Sequence, residues 1–326
     1  MNLWQRSMIH LARSEQVKHL VQRPGRTPWL ARRFVGGTDA DAALTTAQRL
    51  RDDMDISSSL FYLGEYVDAP YLVEHNVEEM ISAVRLLGAR GLDVNMSADP
   101  TAIGYMAGQD LCRRNAERVA EAISAQPARA RNCLMLDMED LSLVAPTLAL
   151  HQHLLKQGLP VAVTLQSRLR RTEDDLACLL GQPTAVRLVK GAFPLGPEHD
   201  LQGRPAITAS YLALAKAMLS SQARHAGSYP VFATHDEVLA RQLIDLARAN
   251  GWSPAQYEFE MLYGVRPDWQ QSLRTEGFSV RVYLPFGLDW WPYAARRVGE
   301  NPRNLLLLGR ALLGPKYEHV NRAAAS

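Results

Sequence analysis

The sequence predicts an α/β protein of the (β/α)8 barrel class, on three observations. Eight short apolar runs recur along the chain, each followed by a helical stretch. Together they span about 250 residues, the usual size of a closed eight-unit barrel. No Gly-x-Gly-x-x-Gly occurs anywhere, whereas an open doubly wound sheet for a dinucleotide would normally carry one after its first strand.

The elements follow in order. Residues 1–50 read as two or three helices packed outside the barrel. Leu3, Trp4, Met8, Leu11, Val17, Leu20 and Val21 recur there among charges. Strands are expected at Ser58–Tyr62, Leu92–Met96, Cys133–Asp137, Pro160–Gln166, Ala185–Val189, Pro230–Thr234, Tyr257–Met261 and Ser279–Pro285. Amphipathic helices are expected at Val73–Leu87, Gly108–Ala125, Leu143–Gln157, Ala209–Ala223, Asp236–Ala249 and Trp269–Glu276. After Pro285, Asp289 can cap a further helix, with Pro292 in its first turn. Tyr293, Arg296, Arg297 and Glu300 then share one face at i, i+3, i+4 and i+7. The barrel domain is placed at 51–315, and residues 316–326 read as a frayed tail.

Composition limits the function classes. The chain has 326 residues, 47% hydrophobic, with a net charge of +2, so total charge does not argue for nucleic acid. No apolar run reaches the roughly 18 residues that cross a bilayer, and no signal-peptide pattern opens the chain. Cys112, Cys133 and Cys178 form neither a disulfide framework nor a zinc pattern. Each reads as a small core residue, and a reducing cytoplasm is expected. No metal site is expected, because no paired-histidine spacing occurs. A serine nucleophile lacks its Gly-x-Ser-x-Gly.

Barrel chemistry sits at strand C-termini. Here those ends carry Asp137 and Glu139, Gln166, Arg187 with Lys190-Gly191-Ala192-Phe193, and Thr234-His235-Asp236. Glu258 and Glu260 lie on the seventh strand, Arg281 and Tyr283 on the eighth. Any one could be a satisfied core polar group; their convergence points to a site. Lys190 stands out because only five lysines occur in the chain. It suits a Schiff base or a positive charge for a phosphate or anionic ring. Arg296 and Arg297 could bind a small carboxylate through their planar forks, or form a solvated face with Glu300. Two acids among Asp137, Glu139, Glu258 and Glu260 could serve a glycosidase, although that leaves Lys190 and the arginine pair unexplained.

Ordered strings then carry a resemblance. Leu63-Gly64-Glu65, Leu136-Asp137-Met138-Glu139-Asp140, Leu165-Gln166, Arg187-Leu188-Val189-Lys190-Gly191-Ala192 and Phe232-Ala233-Thr234-His235-Asp236 resemble the proline dehydrogenase family. So do Tyr257-Glu258-Phe259, Leu262-Tyr263-Gly264-Val265-Arg266 and Tyr293-Ala294-Ala295-Arg296-Arg297. The resemblance covers essentially the whole chain and is nearest to short monofunctional bacterial members. It implies a distorted (β/α)8 barrel that binds FAD non-covalently, with the final helix capping the active site. It implies that Arg296 and Arg297 grip the substrate carboxylate while Tyr283 and Tyr293 pack around the ring. Asp137 and Asn95 fall among the catalytic positions. Gln166, Arg187, Lys190, Gly191, Ala192, Thr234, His235 and Glu258 fall among those that hold the flavin. The implied reaction oxidises L-proline to 1-pyrroline-5-carboxylate by hydride transfer to flavin N5. The implied acceptor is a quinone, with peripheral contact at the inner face of the membrane.

Departures from the family pattern leave the substrate open. Asn95 stands where the second strand carries a lysine, and Phe61 where the first carries an aspartate. Phe193 replaces a tyrosine and Glu260 a glutamine. Losing a cation beside a carboxylate costs about 1–3 kcal/mol of charge-assisted bonding. Loss of an acid and a base together avoids a buried lone charge. These changes fit either local drift around ordinary proline oxidation or a pocket reshaped for a related amino or imino acid.

Overall fold

The computed structural model describes residues 34–64, 67–127, 129, 131–191 and 196–294. Two compact units divide the chain, one running Phe34–Leu288 and the other joining Met1–Arg33 to Asp289–Ser326.

The first unit is a closed barrel of eight parallel strands in sequence order. The strands are β1 (Ser57–Tyr62), β2 (Asn95–Ala98), β3 (Cys133–Leu136), β4 (Val161–Gln166), β5 (Ala185–Val189), β6 (Tyr229–Ala233), β7 (Glu258–Leu262) and β8 (Ser279–Phe286). β1 meets β8 over six residues, from Ser57 opposite Arg281 to Tyr62 opposite Phe286, and this seam closes the sheet. Around it lie α1 (Ala40–Met54), α2 (Pro70–Ala89), α3 (Gln109–Ser124), α4 (Leu141–Lys156), α5 (Thr172–Ala177), α6 (Arg204–Met218), α7 (Ser221–His225), α8 (Glu237–Ala249) and α9 (Pro267–Thr275).

Strand residues alternate between the two faces of the sheet. Leu60, Met96, Leu134, Leu136, Val163, Leu188, Phe232, Phe259, Val282 and Leu284 are fully or almost fully buried, in one core with the apolar stripes of the helices. The intervening positions are richer in polar residues, and they turn into the barrel. Helix starts are fixed by side-chain caps. Asp39, Asp140, Ser220 and Asp236 accept bonds from the backbone N–H groups of Ala42, Ser142, Ala223 and Leu239.

Three expectations need correction. The helix expected over Ala209–Ala223 is two helices, because Ser220 caps a new one after α6 ends at Met218. Cys178 is exposed, so it is not a core residue, whereas Cys112 is buried with its thiol pKa pushed up to about 12 by burial. The expected boundary between 50 and 51 falls inside α1, whose Ala43, Leu44 and Ala47 are buried in the barrel's core cluster. The expected helices before residue 34 and the tail 316–326 lie outside the described residues. Among the described residues, no helix is long and apolar enough to cross a membrane.

In the second unit, residues 290–294 are helical. Trp290 and Trp291 meet edge to face at 6.3 Å, and Tyr293 is buried.

Candidate active site

Two arginines enter the barrel interior, one above the other, and each collects carboxylates. Arg187 of β5 is buried. Its Nε donates to Thr164 Oγ1 on β4 at 3.0 Å, and Nη1 donates to Glu260 on β7 at 3.1 Å. Nη2 donates to Ser97 Oγ on β2 at 3.1 Å and also to Asp137, just past β3. These partners come from strands on all sides, so the guanidinium spans the barrel interior. Asp137 also accepts from Tyr283 Oη on β8 at 2.9 Å and from Thr164 Oγ1 at 3.2 Å. Glu260 accepts from Ser59 Oγ on β1. The Arg187 guanidinium lies 5.2 Å from the Tyr283 ring centroid, and Phe61 packs on the same ring at 5.2 Å. A planar cation with at least four donated bonds has little freedom left, so this cluster is pre-set rather than assembled on binding.

Nearer the N-terminal ends, Arg281 donates to Glu258 at 2.7 Å, to the Ser58 carbonyl at 2.9 Å and to Asp93 at 3.4 Å. Burial opposes the charge on Arg281, but Glu258 beside it outweighs that and holds its pKa above the ordinary value. Tyr229 donates to Glu258 at 3.4 Å beneath the Arg131 guanidinium. Burial raises the Tyr229 pKa, and the Glu258 charge adds to it.

At the C-terminal rim, Gln166 ends β4 and donates to the carbonyls of Met138 and Glu139 at 3.2 and 2.7 Å. Lys190 pairs with Asp236 at 3.2 Å, both being partly exposed. Burial works against the Asp236 charge, but the Leu239 N–H and the Lys190 bond outweigh it and hold the carboxyl below its ordinary range. Gly191 has φ +93°, and a Cβ there would sit 2.6 Å from both Gln166 Oε1 and Arg168 Cδ, so the close approach requires glycine. Thr234 Oγ1 accepts from the Asp236 N–H at 3.1 Å. His235 Nε2 accepts the Leu262 N–H at 3.0 Å. That bond leaves the imidazole proton on Nδ1 and ties the β6 loop to the end of β7.

The structure therefore gathers Asp137, Arg187 and Tyr283 in one hydrogen-bonded cluster, with Gln166, Lys190, Gly191, Thr234 and His235 on the loops and strand ends above. Two expected residues are elsewhere. Asn95 is the first residue of β2, and its amide donates to the Arg131 carbonyl and to Cys133 Sγ at 3.4 and 3.2 Å. Glu258 is the first residue of β7 and is committed to Arg281. Both lie toward the N-terminal end, because a strand's first residues enter the barrel opposite its catalytic face. Arg296, Arg297 and Ala192 lie outside the described residues, as do Glu65 and Phe193. Tyr293 belongs to the second unit. The residue motifs missed Ser59, Ser97 and Thr164. Their signal was strand alternation, since small hydroxyls at inward positions are what a buried guanidinium and its carboxylates need.

A closed (β/α)8 barrel whose ionic cluster opens toward the strand C-termini has the architecture of a barrel enzyme. A family model for proline dehydrogenase matches residues 43–308. The chain is 32% identical over 317 residues to a proline dehydrogenase of Deinococcus radiodurans, covering 95% of this chain and 98% of that one. It is 30% identical over 283 residues to proline dehydrogenase 1 of Bacillus subtilis subsp. natto, covering 87% and 90% of the two chains. Proline utilization A from Bdellovibrio bacteriovorus, inactivated by N-propargylglycine, superposes with a TM-score of 0.75 at 20% identity, a likeness in fold. That match covers 88% of this chain and 34% of that chain, so this chain spans about a third of its length. The chain belongs to the proline dehydrogenase family.

Proposed function

We propose that the protein oxidises L-proline to 1-pyrroline-5-carboxylate with FAD as its cofactor and a quinone as the final electron acceptor. The observation that carries this reading is the Arg187–Asp137–Tyr283 cluster, held rigid at the C-terminal end of the barrel in a chain of this family. The donor set suits a flavin dinucleotide. Arg187 supplies a fixed cation within the barrel, Lys190 a second at the rim, and Gly191 removes the side chain where backbone must pass closest to Gln166. Gln166, Arg187, Lys190, Gly191, Ala192, Thr234 and His235 are the residues proposed to hold it. Bound FAD would supply the hydride acceptor, N5, for the hydrogen on the ring carbon beside the proline nitrogen.

The chain's own residues then have distinct tasks. Arg296 and Arg297 grip the substrate carboxylate and fix which C–H faces the flavin, which is catalysis by orientation. Tyr283, fixed by its bond to Asp137, and Tyr293 wall the substrate ring. Asp137 places a carboxylate within the cluster, where positive charge developing on the substrate nitrogen is favoured. The catalytic barrel is assigned to the unit Phe34–Leu288. The protein is placed in the cytoplasm, in peripheral contact with the inner face of the membrane where it meets quinone.

A second reading keeps fold and flavin and changes the substrate to another amino acid or cyclic imino acid. Phe61 favours it, being buried against Tyr283 in the wall of the cluster. One experiment serves both. The purified protein is reconstituted with FAD and mixed anaerobically with a panel of amino and imino acids while the flavin absorbance is followed. Saturable bleaching by proline at physiological concentrations supports the first reading; bleaching by another member alone supports the second. A protein that takes up no FAD overturns both.

A further inference from the structure

Glu260 stands out among the buried groups. It is 3% exposed, on the inward face of β7, and its two oxygens are engaged by Arg187 Nη1 at 3.1 Å and by Ser59 Oγ. Arg187 therefore faces two carboxylates, Glu260 and Asp137, rather than one. One guanidinium between two carboxylates leaves the cluster with one negative charge in excess. Below it, Arg281 faces Glu258 and Asp93 with the Arg131 guanidinium stacked on Tyr229 beside them, so the cations of the lower cluster are taken up by its own carboxylates. Asp137 also accepts from Tyr283 and Thr164, but those donors are neutral and leave the charge unchanged. Glu260 is deep in the barrel, behind Arg187, where charge is poorly screened.

We propose that Glu260 is a positioning residue that acts through Arg187, offsetting its charge and so lowering the electron affinity of the bound flavin. This deepens the proposed function and rests on its placing of the flavin beside Arg187. Reduction brings two electrons and one proton to the flavin, and thus one net negative charge. With Asp137 alone, Arg187 would sit in a neutral cluster; Glu260 gives that cluster its net negative charge, which opposes the charge arriving on the flavin. The hydrogen bonds by themselves do not require a charge, since a glutamine can keep its amide oxygen on Arg187 and turn its NH2 toward the Ser59 hydroxyl, which then accepts. The acid's distinct contribution is electrostatic.

The test compares wild type, Glu260→Gln and Glu260→Asp as FAD-reconstituted, substrate-free protein. The flavin midpoint potential is measured against reference dyes. Glu260→Gln should favour the reduced flavin at least tenfold, which for a two-electron couple is about 30 mV toward positive values. Glu260→Asp keeps the charge and should stay within threefold of wild type. Equal shifts in both variants would mean that packing, not charge, is at work and would overturn the inference. So would an unchanged potential in Glu260→Gln, or failure of Glu260→Gln alone to take up flavin, which would make the residue structural. The functional reading is checked separately by bleaching of the wild type with proline; if wild type bound no FAD, both would fall together.

Discussion

At the scale of single residues, the two buried arginines have the same partners in kind but different positions. Arg187 lies in the barrel with Asp137 and Tyr283, where substrate chemistry is proposed. Arg281 lies toward the opposite end with Glu258. Removing Glu258 would leave the buried guanidinium with the neutral Ser58 carbonyl and the longer 3.4 Å contact to the Asp93 carboxylate. Breaking a buried ion pair from one side costs about 3–5 kcal/mol. Glu258→Ala should therefore lower the urea midpoint of the flavin-free protein by an amount of that order. If instead stability were unchanged and only flavin affinity fell, the structural role given to Glu258 would be wrong. Arg296→Met carries the opposite expectation. Loss of a charge-assisted bond should weaken proline binding about tenfold to a hundredfold while FAD stays bound. Loss of both together in flavin titrations would make Arg296 structural.

At the scale of elements, α4 carries a buried histidine that ties it to the barrel. His151 is fully buried, and its Nε2 meets Thr184 Oγ1 at 2.9 Å while that hydroxyl donates to the Val161 carbonyl at 3.0 Å. The hydroxyl is thus the acceptor from His151, which fixes the proton on Nε2. Burial pushes the His151 pKa down to about 4 from 6.5. A base whose folded pKa is depressed binds its proton more readily when unfolded. Its contribution is complete above pH 6.5 and is lost as the pH falls toward 4. The expected loss is about 3 kcal/mol across that window. Urea unfolding of wild type and His151→Asn at pH 7 and pH 4.5 measures it. The variant should lose distinctly less stability on acidification, and an equal loss would assign the effect to carboxylates elsewhere.

At the scale of the whole molecule, the β1–β8 seam joins segments more than 200 residues apart in sequence and makes the barrel one body. Leu284 lies in it, fully buried, so close to Gly36 that a Cβ there would come within 2.7 Å of its Cγ. Leu284→Ala leaves a cavity in the seam, at a cost of about 2–5 kcal/mol. Because every strand depends on closure, the variant should lower the unfolding midpoint of the barrel as a whole. Separate early loss of the N-terminal strands, seen by hydrogen exchange, would show that the seam can open locally instead.

The sequence by itself determined the barrel. Short apolar runs alternating with amphipathic helices are local patterns, and each of the eight strand segments is found within a few residues of its expected place. It also determined the family, since the ordered strings around Asp137, Gln166, Arg187 and His235 are matters of residue type and order. Motif strings such as Tyr257-Glu258-Phe259 could not say which end of the barrel a residue enters. Only the tertiary structure separated Glu258 and Asn95 from the Arg187 cluster, because that depends on strand register and shear. Likewise, only closure brought Ser97, Thr164 and Glu260 from three strands onto one guanidinium, with Ser59 of a fourth strand behind Glu260. Hydrogen bonding across a barrel is a property of positions far apart in sequence, and no local pattern records it.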